Sequence, residues 1–282
     1  MKKLFKQVAK FFAKIIVGLS VKFNSGRYFL DKINNFIFQN KKTVKHNDIK
    51  LMFYVPNRLN FFRVDTFSTK EPETLKWIDT FKKDSVFWDI GANVGLYSCY
   101  AAKKINCQVF AFEPSVFNLE LLAKNIELNL LSEKITLIPI SLYESSGVQS
   151  FNMTTNERGG AFSSFGEITD EEGNPLKSIF SYKTVGLSID EAIKNLGLKV
   201  PNYIKMDVDG IEHIILRGAN STIKGVESII IEVNDNYKKQ STEIEEYLNE
   251  AGFVLKEKKH SELVEKSSKF SSFYNQLWVR KN

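Results

Sequence analysis

The first stretch of the chain reads as a helix with two faces. At about 100° per residue, Leu4, Phe5, Val8, Phe11, Phe12, Ile15, Ile16 and Leu19 fall in one half of the wheel and Lys2, Lys3, Lys6, Lys10 and Lys14 in the other. Ile33 to Gln39 continues a helical pattern, and Lys50 to Val55 and Phe61 to Thr66 read as short strands around the turn Pro56-Asn57. Glu71-Pro72-Glu73 predicts a helix running through Phe81. Proline in the first turn has no intrahelical N–H to lose, and the carboxylates favour the positive end of the dipole.

From Ser85 the pattern becomes an alternation. Strand-length apolar runs at Val86–Ile90, Gln108–Glu113 and Ile135–Ile140 are separated by helical stretches at Gly95–Lys104 and Val116–Asn129. That order predicts parallel strands with crossover helices on both faces of one sheet. A polar, Gly- and Ser-rich stretch interrupts it between about 147 and 187, and the strand-like ends Val148–Met153 and Thr184–Leu187 predict an inserted hairpin. The long loop inside that hairpin is expected to face substrate. The alternation resumes at Ser188, which stands at capping-box spacing from Glu191. Helices at Gly210–Leu216 and Glu243–Glu250 then alternate with strands at Tyr203–Asp207, Ser228–Val233, Phe253–Glu257 and Ser272–Val279.

With 282 residues, 43% hydrophobic and 26% charged, the chain can build a core without disulfides or metal, and collagen, low-complexity disorder and a multi-span membrane protein are excluded. Cys99 and Cys107 lack zinc-site spacing and read as buried thiols in a reducing compartment. The net charge of +6 changes the picture only once it is located. Residues 1–30 carry six lysines, one arginine and no acid, so this segment holds +7 and residues 31–282 hold −1.

The division predicted is therefore a basic amphipathic arm over residues 1–45 and a catalytic domain over 46–282. Residues 2–19 suit a helix lying in a membrane interface, and equally one packed on the chain's own body or on a second copy. A secretory signal fits poorly. The apolar run Ile15 to Val21 is short, contains Gly18 and Ser20, and is followed by no small-residue cleavage site. The chain is expected in the cytoplasm, at the inner face of the membrane if the arm docks there.

Two motifs carry cofactor chemistry. Asp89-Ile90-Gly91-Ala92-Asn93-Val94-Gly95 stands where an apolar strand gives way to a helix. Glycines there let the backbone turn sharply and approach a ligand, and a strand-end carboxylate can hold a positive or hydroxyl-bearing group. The G-x-G-x-x-G spacing that brings helix N–H groups onto a pyrophosphate is missing, which argues against a dinucleotide and a nicotinamide oxidoreductase. Phe110-Ala111-Phe112-Glu113-Pro114 ends the next strand with an acid able to accept hydrogen bonds from ribose hydroxyls. Asp89 and Glu113 as mere helix caps is the simpler reading of each alone. Their pairing, each after a buried strand, favours a cofactor.

Together with Ile204-Lys205-Met206-Asp207-Val208-Asp209-Gly210-Ile211-Glu212, these motifs resemble the FkbM-type methyltransferases, a branch of the S-adenosylmethionine-dependent class I fold. The resemblance covers roughly residues 71–280. It implies an α/β, Rossmann-like sheet of seven strands, mostly parallel with the last antiparallel. It also implies a cofactor over the strand ends at Gly91, Ala92, Asn93 and Gly95, with its ribose on Glu113 beside Pro114, and Ser141 and Leu142 near its adenine. Asp209 departs from the family, which more often has Glu, and is one methylene shorter.

Methyl transfer from a sulfonium is an in-line displacement, so the protein has mainly to align the acceptor and manage one proton. Candidates cluster after Tyr203: Lys205, Asp207, Asp209, Glu212 and His213. Asp207 is the expected active-site carboxylate and His213 the natural base near neutral pH. A surface or packing role suits His213 equally. Glu232, an acid in an apolar run, is expected to face the cleft or pair with a cation such as Lys205. Asp207 with Asp235 and Asn236 could hold Mg²⁺, although Asn234, Asp235 and Asn236 also read as an ordinary polar turn; the metal-free reading is preferred.

The expected activity is transfer of methyl to a hydroxyl oxygen of a sugar, glycan or lipid-linked small molecule. The resemblance supplies the preference for oxygen. A membrane-recruited cofactor-binding module without turnover and an RNA methyltransferase are the alternatives. Nucleic acid is disfavoured because the body carries −1 and because Asp207-Val208-Asp209-Gly210 stands where base N-methylation usually has Asn/Asp-Pro-Pro-aromatic.

Overall fold

A computed structural model describes residues 2–167, 169, 170, 172–260, 265 and 271–281. Two helices, α1 (Lys2–Ser20) and α2 (Asn24–Phe38), form the arm. The antiparallel hairpin β1 (Lys41–His46) and β2 (Ile49–Tyr54) follows, then α3 (Arg58–Asp65), α4 (Phe67–Lys70) and α5 (Pro72–Ile78). The alternating part runs β3 (Val86–Ile90), α6 (Leu96–Ile105), β4 (Gln108–Phe112), α7 (Val116–Leu128) and β5 (Ile135–Ile138). The insertion holds β6 (Ser141–Leu142), β7 (Gly147–Met153), β8 (Ser163–Phe165) and β9 (Phe180–Leu187). The chain returns through α8 (Ile189–Leu196), β10 (Tyr203–Met206), α9 (Glu212–Arg217), β11 (Ser228–Asn234), α10 (Lys238–Glu250), β12 (Phe253–Lys259) and β13 (Phe273–Arg280).

Seven strands make the central sheet in the order β12-β13-β11-β10-β3-β4-β5. β11, β10, β3, β4 and β5 are mutually parallel, and β13 lies antiparallel between β11 and β12. The seven-stranded, mostly parallel sheet with its antiparallel last strand is the one expected. Alternate side chains of each strand enter opposite cores. Trp88, Ile90, Met206 and Ile231 pack with Ile189, Ile215, Ile244 and Leu248 of α8, α9 and α10. Phe87, Val109 and Ile230 pack on the other face with Leu75, Trp77, Ala101 and Leu122 of α5, α6 and α7. Cys99 and Cys107 are free and buried in this second core.

Several boundaries follow the pattern closely. Pro72 opens α5, and Ser188 with Glu191 closes a complete capping box at α8. The expected strand over 61–66 is instead part of α3. Its start is set by Asn57, whose side chain accepts from the Asn60 N–H at 2.8 Å, an N-cap that outweighs the β-leaning residues behind it. β1 was hidden by its polarity, because Lys41, Lys45 and their neighbours leave no apolar alternation. The insertion is more than a hairpin: β7 pairs with both β9 and β8, and β6 joins β9 in a four-stranded sheet.

The arm's apolar side chains lie at the surface. On α1, Leu4, Phe5, Phe11, Phe12, Ile16 and Leu19 are all exposed, Phe5 by 73%, and α2 buries no residue. The side chains of Lys2 and Lys3 lie outside the described residues. Among the described residues no helix is long and apolar enough to cross a membrane.

Candidate active site

The carboxyl ends of β3, β4 and β10 open into a cavity of about 360 Å³, a size suited to a small ligand. After β3 the chain turns through Gly91 at φ +84° and Asn93 at φ +51°. The Gly91 and Ala92 N–H groups donate to the Phe112 carbonyl at 3.0 Å. A Cβ on Gly91 would fall 1.9 Å from the Asp207 carbonyl oxygen, so only glycine lets β10 approach this turn.

Glu113 sits at the end of β4 and faces the cavity. Its Oε2 accepts from the Asn93 N–H and its Oε1 from the Ser115 N–H, each at 2.8 Å. Each carboxylate oxygen keeps acceptor capacity beyond these bonds. Burial pushes the Glu113 carboxyl up to about 8 against those two N–H groups. Asn93 Oδ1 and Ser115 Oγ, which line the same end, are buried without a hydrogen-bond partner. A side pocket shares Gly91, Pro114, Phe151 and Val208 with the main cavity and is lined by Ile140, Leu142 and Phe165. Ser141 Oγ in it is likewise unpaired. Buried polar atoms left without partners suit a polar ligand between them, and the apolar slot beside them suits a flat ring.

Asp89 does not line the cavity. It is buried beneath the turn, takes the Ser98 hydroxyl at 2.5 Å, and stands beside Lys205 in the parallel register. Its place supports the turn from below, and Gly95 likewise packs inward toward Leu122.

The other end of the cavity is ionic. Lys205 is buried, its Nζ 2.8 Å from Asp207 Oδ2 and 5.2 Å from the Tyr97 ring centre. Burial opposes its charge, yet Asp207, Glu71 and Asp89 together hold its pKa above the ordinary lysine value. Burial would raise Asp207, but Lys205 and Lys70 keep it below the usual carboxylate range. Glu71, 2.7 Å from Lys70 Nζ, is likewise lowered by Lys70 and Lys205 in spite of its burial. Glu232 faces the same space. Burial and the Asp207 charge raise its carboxyl well above the ordinary range, with Lys70 pulling the other way. Of the two expectations for Glu232, it faces the cleft, and Lys205 pairs with Asp207.

Arg63, Lys70, Phe62, His260 and Asn275 complete this end, and none of them was singled out by sequence. Arg63 and Lys70 lie on α3 and α4, in a segment whose pattern reads as strand and turn. His260 and Asn275 belong to β12, β13 and their connection, brought across the sheet by the antiparallel last strand.

His213 is not at the cavity. It packs on the far side of α9, 2% exposed and edge-on to Tyr237 at 5.7 Å. Both ring nitrogens lack a hydrogen-bond partner, and burial lowers its pKa to about 4. It is a neutral packing group, and the expectation of a base there is corrected. Glu212 is structural too: it accepts from the Val208 and Gly210 N–H groups at 2.9 and 3.1 Å.

Asp209, at φ +62°, turns away from β10 to the insertion, accepting from the Phe162 and Ser163 N–H groups at 2.6 and 3.2 Å. Asn93 and Asn118 both donate to the Gly160 carbonyl, at 2.7 and 3.1 Å. Residues 160–163 are thereby fixed as a wall of the cavity.

Asp235 and Asn236 lie outside the lining. Lys258 Nζ sits 2.7 and 2.6 Å from the two Asp235 oxygens, and the Asn236 N–H donates to Asn234 Oδ1 at 3.0 Å, the polar turn of the simpler reading. Among the described residues no three His, Cys, Asp or Glu side chains cluster as a metal site.

A parallel α/β sheet with an antiparallel seventh strand, opening a glycine turn and an acid at adjacent strand ends, defines a class I methyltransferase-type domain. Residues 89–255 match the model of the methyltransferase FkbM domain, more than half of the chain, and the chain belongs to that family. It is 29% identical over 159 residues to the hexuronic acid methyltransferase AglP of Haloferax volcanii, a match spanning 56% of this chain and 59% of that protein. Among solved structures it is similar to a precorrin-6y C5,15-methyltransferase of Geobacter metallireducens, with a TM-score of 0.43 and 14% identity over 75% of this chain and 87% of that one. Similarity to TYW2 of M. jannaschii in complex with AdoMet has a TM-score of 0.44 at 14% identity, covering 86% and 87% of the two chains. The fold assignment rests on the strand order of the sheet itself.

Proposed function

We propose that the chain transfers a methyl group from S-adenosylmethionine to an oxygen of a sugar or sugar-acid acceptor. One observation carries the reading: a single cavity joins a polar, partly unsatisfied end at Asn93, Glu113 and Ser115 to an ionic end at Arg63, Lys70, Asp207 and Glu232. The name of the AglP relative supports a hexuronic acceptor, and two cations at the cavity suit a sugar that bears a carboxylate.

The residues fit the cofactor. Glu113 would accept the ribose hydroxyls, the slot at Ile140, Ser141 and Leu142 would take the adenine, and the turn at Gly91 and Asn93 would hold the remainder. Bound there, the sulfonium supplies an electrophilic methyl group. The chain's own part is alignment and one proton. Glu232, raised by burial and by Asp207, is a stronger proton acceptor than an ordinary carboxylate and takes the proton from the acceptor hydroxyl. Lys205 keeps Asp207 ionised and so sustains the field that raises Glu232. Arg63 Nε is bound to the Gly159 carbonyl at 2.8 Å, which fixes the guanidinium at the acceptor end.

Incubating the chain with S-adenosylmethionine and a panel of hexuronic acids, neutral hexoses and their lipid-linked forms tests the proposal. The expected result is a mass gain of one methylene on a uronic sugar, lost in Glu232→Gln. S-adenosylmethionine that fails to bind in calorimetry would overturn it.

A further inference from the structure

The arm presents an apolar face that nothing in the described chain covers. Phe5, Phe11 and Phe12 are 73, 61 and 57% exposed, and on α2 Phe29, Phe36 and Ile37 are exposed as well. Lys6, Lys10 and Lys14 occupy the opposite side of α1, and residues 1–30 hold no acid. A large apolar stripe flanked only by lysines is the arrangement of a helix lying in the plane of a bilayer interface, with cations reaching anionic headgroups.

The main competing occupant is a second copy of the chain. A two-fold interface brings the same patch of each copy together, so it would set one arm of +7 against another, each with Asp31 as its one acid. Charge complementarity therefore favours an anionic surface over self-association.

We propose that α1 and α2 dock the protein on an anionic lipid bilayer. The root of the arm meets the rim of the cavity. The Phe38 ring lies 4.4 Å from the Arg158 guanidinium, the Arg158 carbonyl accepts from Asn57 and Asn60 at 2.9 and 2.7 Å, and the next carbonyl holds Arg63 at the cavity. Phe62, half exposed, lines the mouth there. Docking thus holds the mouth near the membrane surface and favours an acceptor anchored in it. That last step rests on the methyl-transfer reading; docking does not.

Co-sedimentation of the full chain with vesicles separates the possibilities, using phosphatidylcholine alone and phosphatidylcholine mixed equally with phosphatidylglycerol. The expected result is binding to the mixed vesicles only, weakened by salt. Binding should fall at least about ten-fold in Phe11→Asp/Phe12→Asp and in Lys6→Gln/Lys10→Gln/Lys14→Gln. Both variants change exposed arm residues, and unchanged S-adenosylmethionine affinity and melting temperature verify that the body is intact. Absence of wild-type binding to mixed vesicles, or equal binding by the aspartate variant, overturns the proposal. So does a dimer in light scattering that the aspartate variant dissociates. Methyl-transfer failure with vesicle binding retained would count against the proposed activity alone.

Discussion

Lys205 sets the electrostatics of the cavity, because one buried cation faces Asp207, Glu71 and Asp89. Replacing it with methionine removes the cation nearest Asp207 and Asp89 and leaves Glu71 to Lys70 alone, and the expected loss of stability at neutral pH is about 3–5 kcal/mol, measured by urea unfolding. The sign of its pH dependence follows from the pairs. With Lys205 present, Asp207 and Glu71 are lowered, so their contribution is present above the ordinary carboxylate range and lost as pH falls through their lowered values. Removing Lys205 moves both upward, toward protonation, with only Lys70 left to oppose burial, so Lys205→Met should approach the wild type as the pH is lowered. Glu232 carries the opposite prediction for activity. As a base it must be ionised, and its raised pKa moves the acid limb of kcat/KM upward from the usual carboxylate range. Glu232→Gln should lower kcat by about 10²–10⁴-fold while cofactor affinity is retained. Asp207, Glu113 and Glu232 were legible as cavity acids because each ends or interrupts an apolar strand. His213 was not, since a histidine one residue past an acid gives no sign of which side of a short helix it takes. Arg63 and Lys70 were invisible because groups far along the chain, the Gly159 carbonyl for Arg63 and the Asp207 and Glu232 charges for Lys70, make them part of a site.

At the scale of elements, the alternation from β3 to β5 and again from α8 to β11 was readable because buried parallel strands are near-continuous apolar runs set off by helices. The hairpin β1–β2 and helix α3 were not, being half-exposed and governed by one cap at Asn57. The insertion was legible as an interruption only; its tie to the site depends on Asp209, Asn93 and Asn118 meeting residues 159–163 across long stretches of chain. The shorter Asp209 thus has a task of its own. Asp209→Ala releases the Phe162 and Ser163 N–H groups and should loosen the wall. The expected outcome is a higher KM for acceptor and faster proteolysis within 154–178, with the melting temperature nearly unchanged. Gly91→Ala should behave differently. Its Cβ would meet the Asp207 carbonyl at 1.9 Å with φ at +84°, so both stability and cofactor binding should fall, read by thermal melting and calorimetry.

For the whole molecule, the net charge of +6 describes two bodies joined at Phe38, not one basic protein. The catalytic part is nearly neutral, so its cavity concentrates cations and acids locally without an extended basic surface to track a polyanion. Its stability should also be its own. Helix α2 buries no residue, and its last ring touches the body through Arg158 at 4.4 Å and Lys124 at 5.8 Å, exposed cation–π contacts worth about 0.5–1 kcal/mol each. Removing residues 1–38 should therefore lower the unfolding free energy by no more than about 2 kcal/mol, leave S-adenosylmethionine affinity unchanged, and abolish retention on a cation exchanger at neutral pH. A loss of several kcal/mol in urea unfolding would mean that the apolar face of the arm packs on the body in solution, because only core-like burial supplies stabilisation of that size.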